Sequence, residues 1–295
     1  MNLNETLKKL KILERTIFLG NLTKVFQFTD EPRFFQYSCN PKKIKNCNDE
    51  SGSIAISLNE NEAKVKSLME YLERFCLENN TKKVLSDSYI NIKDIAIDPA
   101  DFLNFRDEEM DFRRQEYIKK IRKTQLNWVE GVNLKTNGKV MVPTQLVYIG
   151  HSFQEPLLLR PQISTGAAAY TDYDRALSNG ILECVERDSF MLRYLSKDKV
   201  PKIELEGKLK QLEEYFKRYN LDINVFNITT DLKIPSFMCL NIDRTGIGPA
   251  VSIGLKSGLN INKAIEGAIL ESQQVRQWIR YFFLKMENLK LMKKT

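Results

Sequence analysis

Histidine is almost missing from this chain of 295 residues, His151 being the only one. Its scarcity removes Ser-His-Asp and Cys-His catalysis unless His151 itself serves, and leaves zinc or di-iron sites short of their usual ligand. We read His151 as structural. Cysteine is also sparse: Cys39, Cys47, Cys76, Cys184 and Cys239 form an odd set without CxxC pairs or a metal-ligand rhythm, which fits free thiols in a reducing compartment. With 13 glycines and 9 prolines the chain has too little of either for collagen-like or low-complexity architecture. No run approaches the roughly 20 apolar residues of a membrane span. The opening MNLNETLKKLKILERTIFLG mixes Lys and Glu through its apolar positions instead of separating a basic end from an apolar block. A cytoplasmic protein without a targeting segment or membrane partner is expected. Two nucleotide signatures are missing as well. There is no GxxxxGK[ST] loop, the nearest approach being Gly131 to Lys139 with the wrong spacing, and no kinase GxGxxG loop with its HRD segment.

What is present suits a globular protein: 42% of residues are hydrophobic and 28% charged, and the length allows a sizeable core. The net charge of +7 would favour an anionic partner. The basic residues are nevertheless dispersed, the densest groups being Lys42, Lys43 and Lys45, then Lys119, Lys120, Arg122 and Lys123, and no nucleic-acid motif accompanies them. They read as solvated faces, and no nucleic-acid partner is expected.

Hydrophobic periodicity predicts a short helix over 2–15, a strand over 24–28, a polar loop over 36–52, a strand over 54–58 and a strong helix over 60–78. A turn at Pro99 and a basic helix near 111–125 come next, then a hairpin of 128–134 and 139–149 around Asn137 and Gly138. Helices are predicted over 172–195 and 208–219, strands over 222–228, 235–243 and 249–255, and a last long helix from about Asn262. Strands interspersed with long helices, and no Gly/Ser/Pro linker, predict an α+β fold forming a single domain over 1–295.

Three of these helices carry one pattern. Ala63, Ser67, Glu70 and Glu73 are followed by Arg74; Ala176, Gly180, Glu183 and Glu186 are followed by Arg187; Ala264, Ala268, Glu271 and Gln274 are followed at one further remove by Arg276. The offsets are 0, 4, 7 and 10. At about 100° per residue they put small residues and acids on one helical face, where another backbone or a ligand can approach closely. A single ExxER is usually a solvated face with local ion pairs. Three in the same phase point to helices that converge. The five carboxylates so gathered cannot remain anionic without cations, and an all-oxygen set suits Mg²⁺, Ca²⁺ or Mn²⁺ better than zinc or iron. With Arg74, Arg187 and Arg276 beside the acids as planar phosphate donors, the package resembles a nucleoside triphosphate site built without a P-loop.

The residues that carry this pattern resemble the YcaO family, whose SxxExxER, ExxER and ExxQxR segments form an ATP and magnesium site. Here they stand as SLMEYLER (Ser67 to Arg74), ECVERD (Glu183 to Asp188) and ESQQVR (Glu271 to Arg276). The segments NWVEGVNL, VPTQLVYIG, ISTGAAA, TTDLKIPSF and DRTGIGPAVSIGL are similar to the SagD-like branch of thiazole/oxazole-forming peptide maturases. The resemblance runs from about Lys24 to about Trp278. It implies a YcaO-like fold of mixed sheets and long helices, and Mg²⁺ coordination by Glu70, Glu73, Glu183 and Glu186 with support from Glu271. It further implies that Arg74, Arg187, Gln274 and Arg276 contact or orient ATP, and that Ser67 either contacts a phosphate or packs as a small residue. Asn179 and Asp188 are adjacent and structural, and Cys76 and Cys184 are read as buried packing.

The activity so implied is ATP-dependent peptide cyclodehydration on Cys, Ser or Thr of a ribosomally made precursor peptide, in which phosphorylating an amide oxygen makes it a leaving group and yields an azoline. Thioamidation and a nucleotide-binding subunit without turnover are the alternatives. The implied partners are the precursor peptide, a leader-recognition or ThiF-like protein, and as further options a flavin dehydrogenase and a second copy of the chain. Two departures from the family stand out. AIS at Ala55 to Ser57 replaces a Gly-Lys-Gly-like segment, and the chain stops at Thr295 where SagD-like enzymes continue to a proline-rich tail. The second departure sets the expectation of a truncated or split protein with weak turnover.

Overall fold

The computed structural model describes residues 20–41, 52–79, 82–103, 112–149 and 156–292, together with Thr6 and Lys8. Among them the strands form three antiparallel sheets, each in simple sequence order: β1 (Asn21–Lys24), β2 (Phe35–Asn40) and β3 (Ser53–Ser57); β4 (Val84–Ser88), β5 (Gln125–Val132) and β6 (Lys139–Pro143); β7 (Leu221–Asn227), β8 (Ser236–Asp243) and β9 (Val251–Ser257). The main helices are α1 (Glu60–Glu78), α2 (Phe112–Lys123), α3 (Tyr173–Ser196), α4 (Gly207–Lys217) and α5 (Ile261–Met292). Small antiparallel sheets with long helices make this an α+β fold, as the periodicity predicts. Among the described residues no helix is long and apolar enough to cross a membrane.

The long helices and the strands from β7 to β9 lie where periodicity puts them, within one or two residues. Four segments differ. The first strand is Asn21–Lys24, earlier than 24–28. The predicted loop over 36–52 begins with β2, in which Gln36, Tyr37 and Cys39 are buried although the composition is polar. β4, with the sequence VLSDS, has no apolar alternation; it is a strand because its residues pair with Gln125 to Val129 of β5. β6 stops at Pro143, which has no N–H to continue a ladder, and a 3₁₀ turn at Thr144–Leu146 replaces the predicted strand continuation. Apart from Thr6 and Lys8, which are helical, the helix predicted over 2–15 lies outside the described residues, as do most of the polar loop, Cys47 and His151.

The chain divides into two compact units, one of residues 1–42, 52–72 and 165–295, the other of residues 43–51 and 73–164. The second unit is built on Ile121, Leu126, Trp128 and Leu159, with the Trp128 Nε1–H donating to the carbonyl of Asp87 at 2.9 Å. In the first unit the larger core joins α4 (Leu212, Phe216), β7 (Leu221, Ile223, Val225), β8 (Phe237, Cys239) and α5 (Ala264, Ile265, Ala268, Ile269). The inward residues of β7 alternate with period two. A smaller cluster packs Cys39 of β2 against Val65, Leu68, Met69 and Tyr71 of α1.

β9 and α5 lie so close that a Cβ on Gly254 would stand 2.1 Å from the carbonyl oxygen of Ala268 and 2.3 Å from the amide of Ser272. Both neighbours are helix backbone and cannot yield. Gly254→Ala is therefore expected to destabilise the protein by about 3 kcal/mol or more, read as a lowered midpoint in chemical denaturation. An unchanged midpoint would mean that strand and helix are not packed this tightly.

Candidate functional site

All three motif helices start in the same way. Asn59, Asp172 and Asn260 each lie four residues before the motif alanine, and their side-chain oxygens accept from the amides of Glu62 (3.1 Å), Arg175 (3.2 Å) and Lys263 (3.0 Å). Their carbonyls accept the first helical bonds from Ala63, Ala176 and Ala264. These are N-caps, and they set the rotational phase of each stripe of small and acidic residues. The capping residue thus extends the repeat by one position; its sequence signal is an Asx four residues before the alanine.

The small residues serve close packing. Ala63, Ser67, Ala264 and Ala268 are buried, and a Cβ on Gly180 would lie 2.5 Å from the carbonyl oxygen of Gly166. Ser53 of β3 donates to the Ser67 carbonyl at 2.6 Å and its hydroxyl lies 3.2 Å from the Ser67 hydroxyl. Ser67 therefore sits in the helix–strand contact.

Past the small residues come the acids. β9 is an edge strand, and two N–H groups on its open side are each taken by a glutamate from a different helix. Leu255 N–H donates to Glu271 of α5 at 2.8 Å, and Ser257 N–H donates to Glu186 of α3 at 3.1 Å. Glu183 accepts from the amide of Gly166 at 3.3 Å, in a loop where Gly166 adopts φ +89°. Arg187 lies between two of the acids, 3.8 Å from Glu183 and 3.6 Å from Glu186, and the Lys256 ammonium stands 4.0 Å from Glu186. Gln274, at the offset of Glu186, donates to the carbonyl of Ile54 in β3 at 2.9 Å. The last residue of each of these two motifs thus reaches the strand that leads into another motif helix.

Charge in this cluster is under-compensated. Burial, and to a smaller extent the charge of Glu183, raises the Glu186 carboxyl above its ordinary range against the pull of Lys256, Arg187 and the Ser257 amide. Burial, and next the charge of Glu186, pushes Glu271 up to about 7 although the Leu255 amide, Arg187 and Lys256 oppose it. Among the described residues no three Asp, Glu, His or Cys side chains form a ready cation cage. The backbone of β9 and Arg187 hold the acids instead. Their donor chemistry and unbalanced charge nonetheless fit a divalent cation that takes carboxylate oxygens.

A carboxyl whose pKa rises on folding binds its proton more tightly in the native state. Its stabilising contribution is complete below the ordinary value of 4.5 and is lost as pH rises toward about 7. Metal-free wild type is expected to lose stability relative to Glu271→Gln between about pH 5 and about pH 8, as read by thermal denaturation. Parallel profiles would show that Glu271 is not under this strain.

Glu70 is half-buried on α1 in the first unit, whereas Glu73 and Arg74, 3.9 Å from each other, belong to the second. Arg276 is 2% exposed, in a buried ionic network the sequence did not announce. Its guanidinium lies 3.1 Å from Glu31 and 3.4 Å from Asp243 and donates to the Pro249 carbonyl, while Gln273 donates to Glu31 at 2.6 Å and Arg280 also pairs with Glu31. Burial works to raise the Asp243 carboxyl, but hydrogen bonds from Thr245 and the Gly248 amide and the charge of Arg276 hold it at about 2. Gly248 has a steric reason to be glycine, since a Cβ there would fall 2.5 Å from the Arg276 guanidinium. Asn179 and Asp188 are exposed. Cys76 and Cys184 are exposed too, which corrects their reading as buried packing, and partial burial raises the pKa of each thiol.

Residues 56–289 match the family described as "YcaO cyclodehydratase, ATP-ad Mg2+-binding". Among curated proteins none matches. The fold is similar to that of a solved heterocyclase in complex with substrate and cofactor, with a TM-score of 0.76 and 21% identity over 94% of this chain and 40% of that one. It is also similar to YcaO from Methanopyrus kandleri bound with AMPPCP and Mg²⁺ (TM-score 0.71, 20% identity, 93% of this chain and 67% of that one). A third likeness is to the E. coli microcin synthetase McbBCD complex with pro-MccB17 bound (TM-score 0.64, 15% identity, 93% and 66%). At such identities the likeness is one of fold, and the chain spans less than half the length of the heterocyclase.

Proposed function

Because this chain belongs to the YcaO family, we propose that it works as the ATP- and Mg²⁺-using part of a peptide cyclodehydratase, forming thiazoline or oxazoline rings from Cys, Ser or Thr of a ribosomally made precursor. The observation that carries this reading is the pair Glu186 and Glu271, fixed on neighbouring outward amides of β9 with too little positive charge to balance them. ATP and Mg²⁺ are the ligands of the family, and Glu183, Glu186 and Glu271 would hold the metal, with Glu70 as a further ligand. Bound there, Mg²⁺-ATP would supply the phosphoryl group that converts an amide oxygen into a leaving group.

The chain's own part is positioning and charge. The β9 amides orient two carboxylates without using the outer oxygens. Arg187 steadies Glu183 and Glu186 while keeping almost half of its side chain open to solvent, which leaves guanidinium N–H groups for phosphate oxygens. Gln274 completes the proposed nucleotide contacts of this unit. Prearranged donors of this kind favour the charge that develops in phosphoryl transfer. The peptide is expected to need a leader-recognition or ThiF-like partner, with oxidation of the ring left to a flavin dehydrogenase.

The test is mass spectrometry of a precursor peptide incubated with the protein, its partner, ATP and Mg²⁺. Loss of one water per ring, abolished by EDTA, is expected. A mass gain matching oxygen-to-sulfur exchange would assign thioamidation instead, and an unmodified peptide with intact ATP binding would leave a nucleotide-binding subunit without turnover.

A further inference from the structure

The open edge of β9 does not end at the two glutamates. Gly258 N–H donates to the Pro235 carbonyl and Asp243 N–H to the Ala250 carbonyl, each at 3.0 Å, so even-numbered residues of β9 turn their backbone groups toward β8. Val251, Ile253, Leu255 and Ser257 therefore turn theirs outward. Glu271 and Glu186 take the N–H groups of Leu255 and Ser257. Among the described residues, nothing accepts from those of Val251 and Ile253, whose side chains are 46% and 37% exposed. This half of the edge carries no proline or charge that would block strand pairing.

A second feature lies on α5. Val275, Trp278 and Phe282 continue the helical stripe of Glu271 along α5 at spacings of four, three and four. The helix runs back along β9, since Gly267 meets Lys256, Ala268 meets Gly254 and Arg276 meets Gly248. Trp278 and Phe282 are 58% and 49% exposed, and their rings stack at 6.1 Å with 17° between planes. On the sheet surface, Leu240 and Ile242 of β8 pair with Ile253 and Val251 and extend the apolar area across the strands. Backbone donors, an aromatic pair and a flat apolar face are the elements of strand addition by a peptide.

We propose, resting on the peptide-modifying function above, that the substrate segment docks as an added strand along the open edge of β9, paired with Val251 and Ile253 and flanked by Trp278 and Phe282. The geometry gives this docking a direction. Pairing must stop at Leu255, where Glu271 occupies the next outward amide, so the peptide leaves the strand beside the carboxylates. Recognition then depends on backbone and on alternate small or apolar side chains, which tolerates many sequences.

Ile253→Pro tests this, because proline removes an outward N–H that takes no part in the β8 ladder and is accommodated at such edge positions. The probe is a fluorescein-labelled synthetic ten-residue peptide alternating Val with Gly and Cys, titrated by anisotropy against protein saturated with Mg²⁺ and AMPPCP. Wild type should bind; Ile253→Pro and Trp278→Ala should each weaken binding at least tenfold, Ile253→Ala should weaken it less, and AMPPCP affinity should stay within twofold. N-methylation of alternate peptide amides should weaken binding with a period of two, which reports strand pairing even if a variant folds poorly. No binding by wild type, equal binding by Ile253→Pro, or no two-residue period would overturn the proposal. A wild-type dimer in sedimentation that Ile253→Pro dissociates would also overturn it, assigning the edge to a second copy. These outcomes are separate from the water-loss assay, whose failure would remove the cyclodehydratase reading whatever the peptide titration shows.

Discussion

Glu271→Gln is expected to lower Mg²⁺-dependent ATP turnover by roughly 10²- to 10³-fold, the loss typical of deleting one prearranged electrostatic group at a reacting centre, while making the metal-free protein more stable at neutral pH. The two effects have one cause. Gln keeps the shape and an oxygen for the Leu255 amide, so the β9–α5 contact survives, but it removes a carboxylate that burial and Glu186 already push up to about 7. A buried charge that only a cation can satisfy costs stability without that cation and gives affinity with it. Isothermal titration with Mg²⁺-AMPPCP and thermal scans with and without EDTA read both sides. A variant that binds and turns over ATP like wild type would remove Glu271 from the metal site; one that loses activity and stability together would make it a packing residue.

Arg276→Met should act in the opposite way, lowering the stability of the whole protein whether or not nucleotide is present. Glu31 is fully buried and Asp243 nearly so, and Arg276 answers both. Removing one partner of a buried ionic network leaves the other charges uncompensated, at a cost of about 3–5 kcal/mol. In a protein of this size that corresponds to a fall in Tm on the order of 10 °C. Arg280, which also pairs with Glu31, would soften the effect, so Arg276→Met with Arg280→Met should be worse than the sum of the single changes. A direct nucleotide role for Arg276 predicts something else: a Tm near that of wild type and weaker ATP binding. Circular dichroism melting together with ATP titration separates the two.

The long helices, their amphipathic phase and the repeat of small and acidic residues were legible in the sequence because each depends on residues a few positions apart in one helix. The N-caps belonged to the same class of signal, since Asn59, Asp172 and Asn260 keep one distance from their alanines. β4 was not legible, because a polar VLSDS becomes a strand only when β5 offers it a partner. Cys76 and Cys184 were misread as buried because sequence neighbours do not tell which side of a helix another segment covers.

By itself, then, the sequence determined which side chains share a helical face and what chemistry that face suits: oxygen ligands, planar cations and small residues for close approach. Only the tertiary structure decided which of those groups meet. Glu186 and Glu271 are 85 residues apart in sequence and become neighbours because one edge strand offers each an amide, two residues apart along β9. Arg276, two residues beyond Gln274 on the same helix, turns away into the network of Glu31 and Asp243 because about 200° of helical rotation separates the two positions. Helical periodicity is local and can be read from spacing, whereas hydrogen-bond pairing between strand edges and distant helices depends on the folded chain closing on itself.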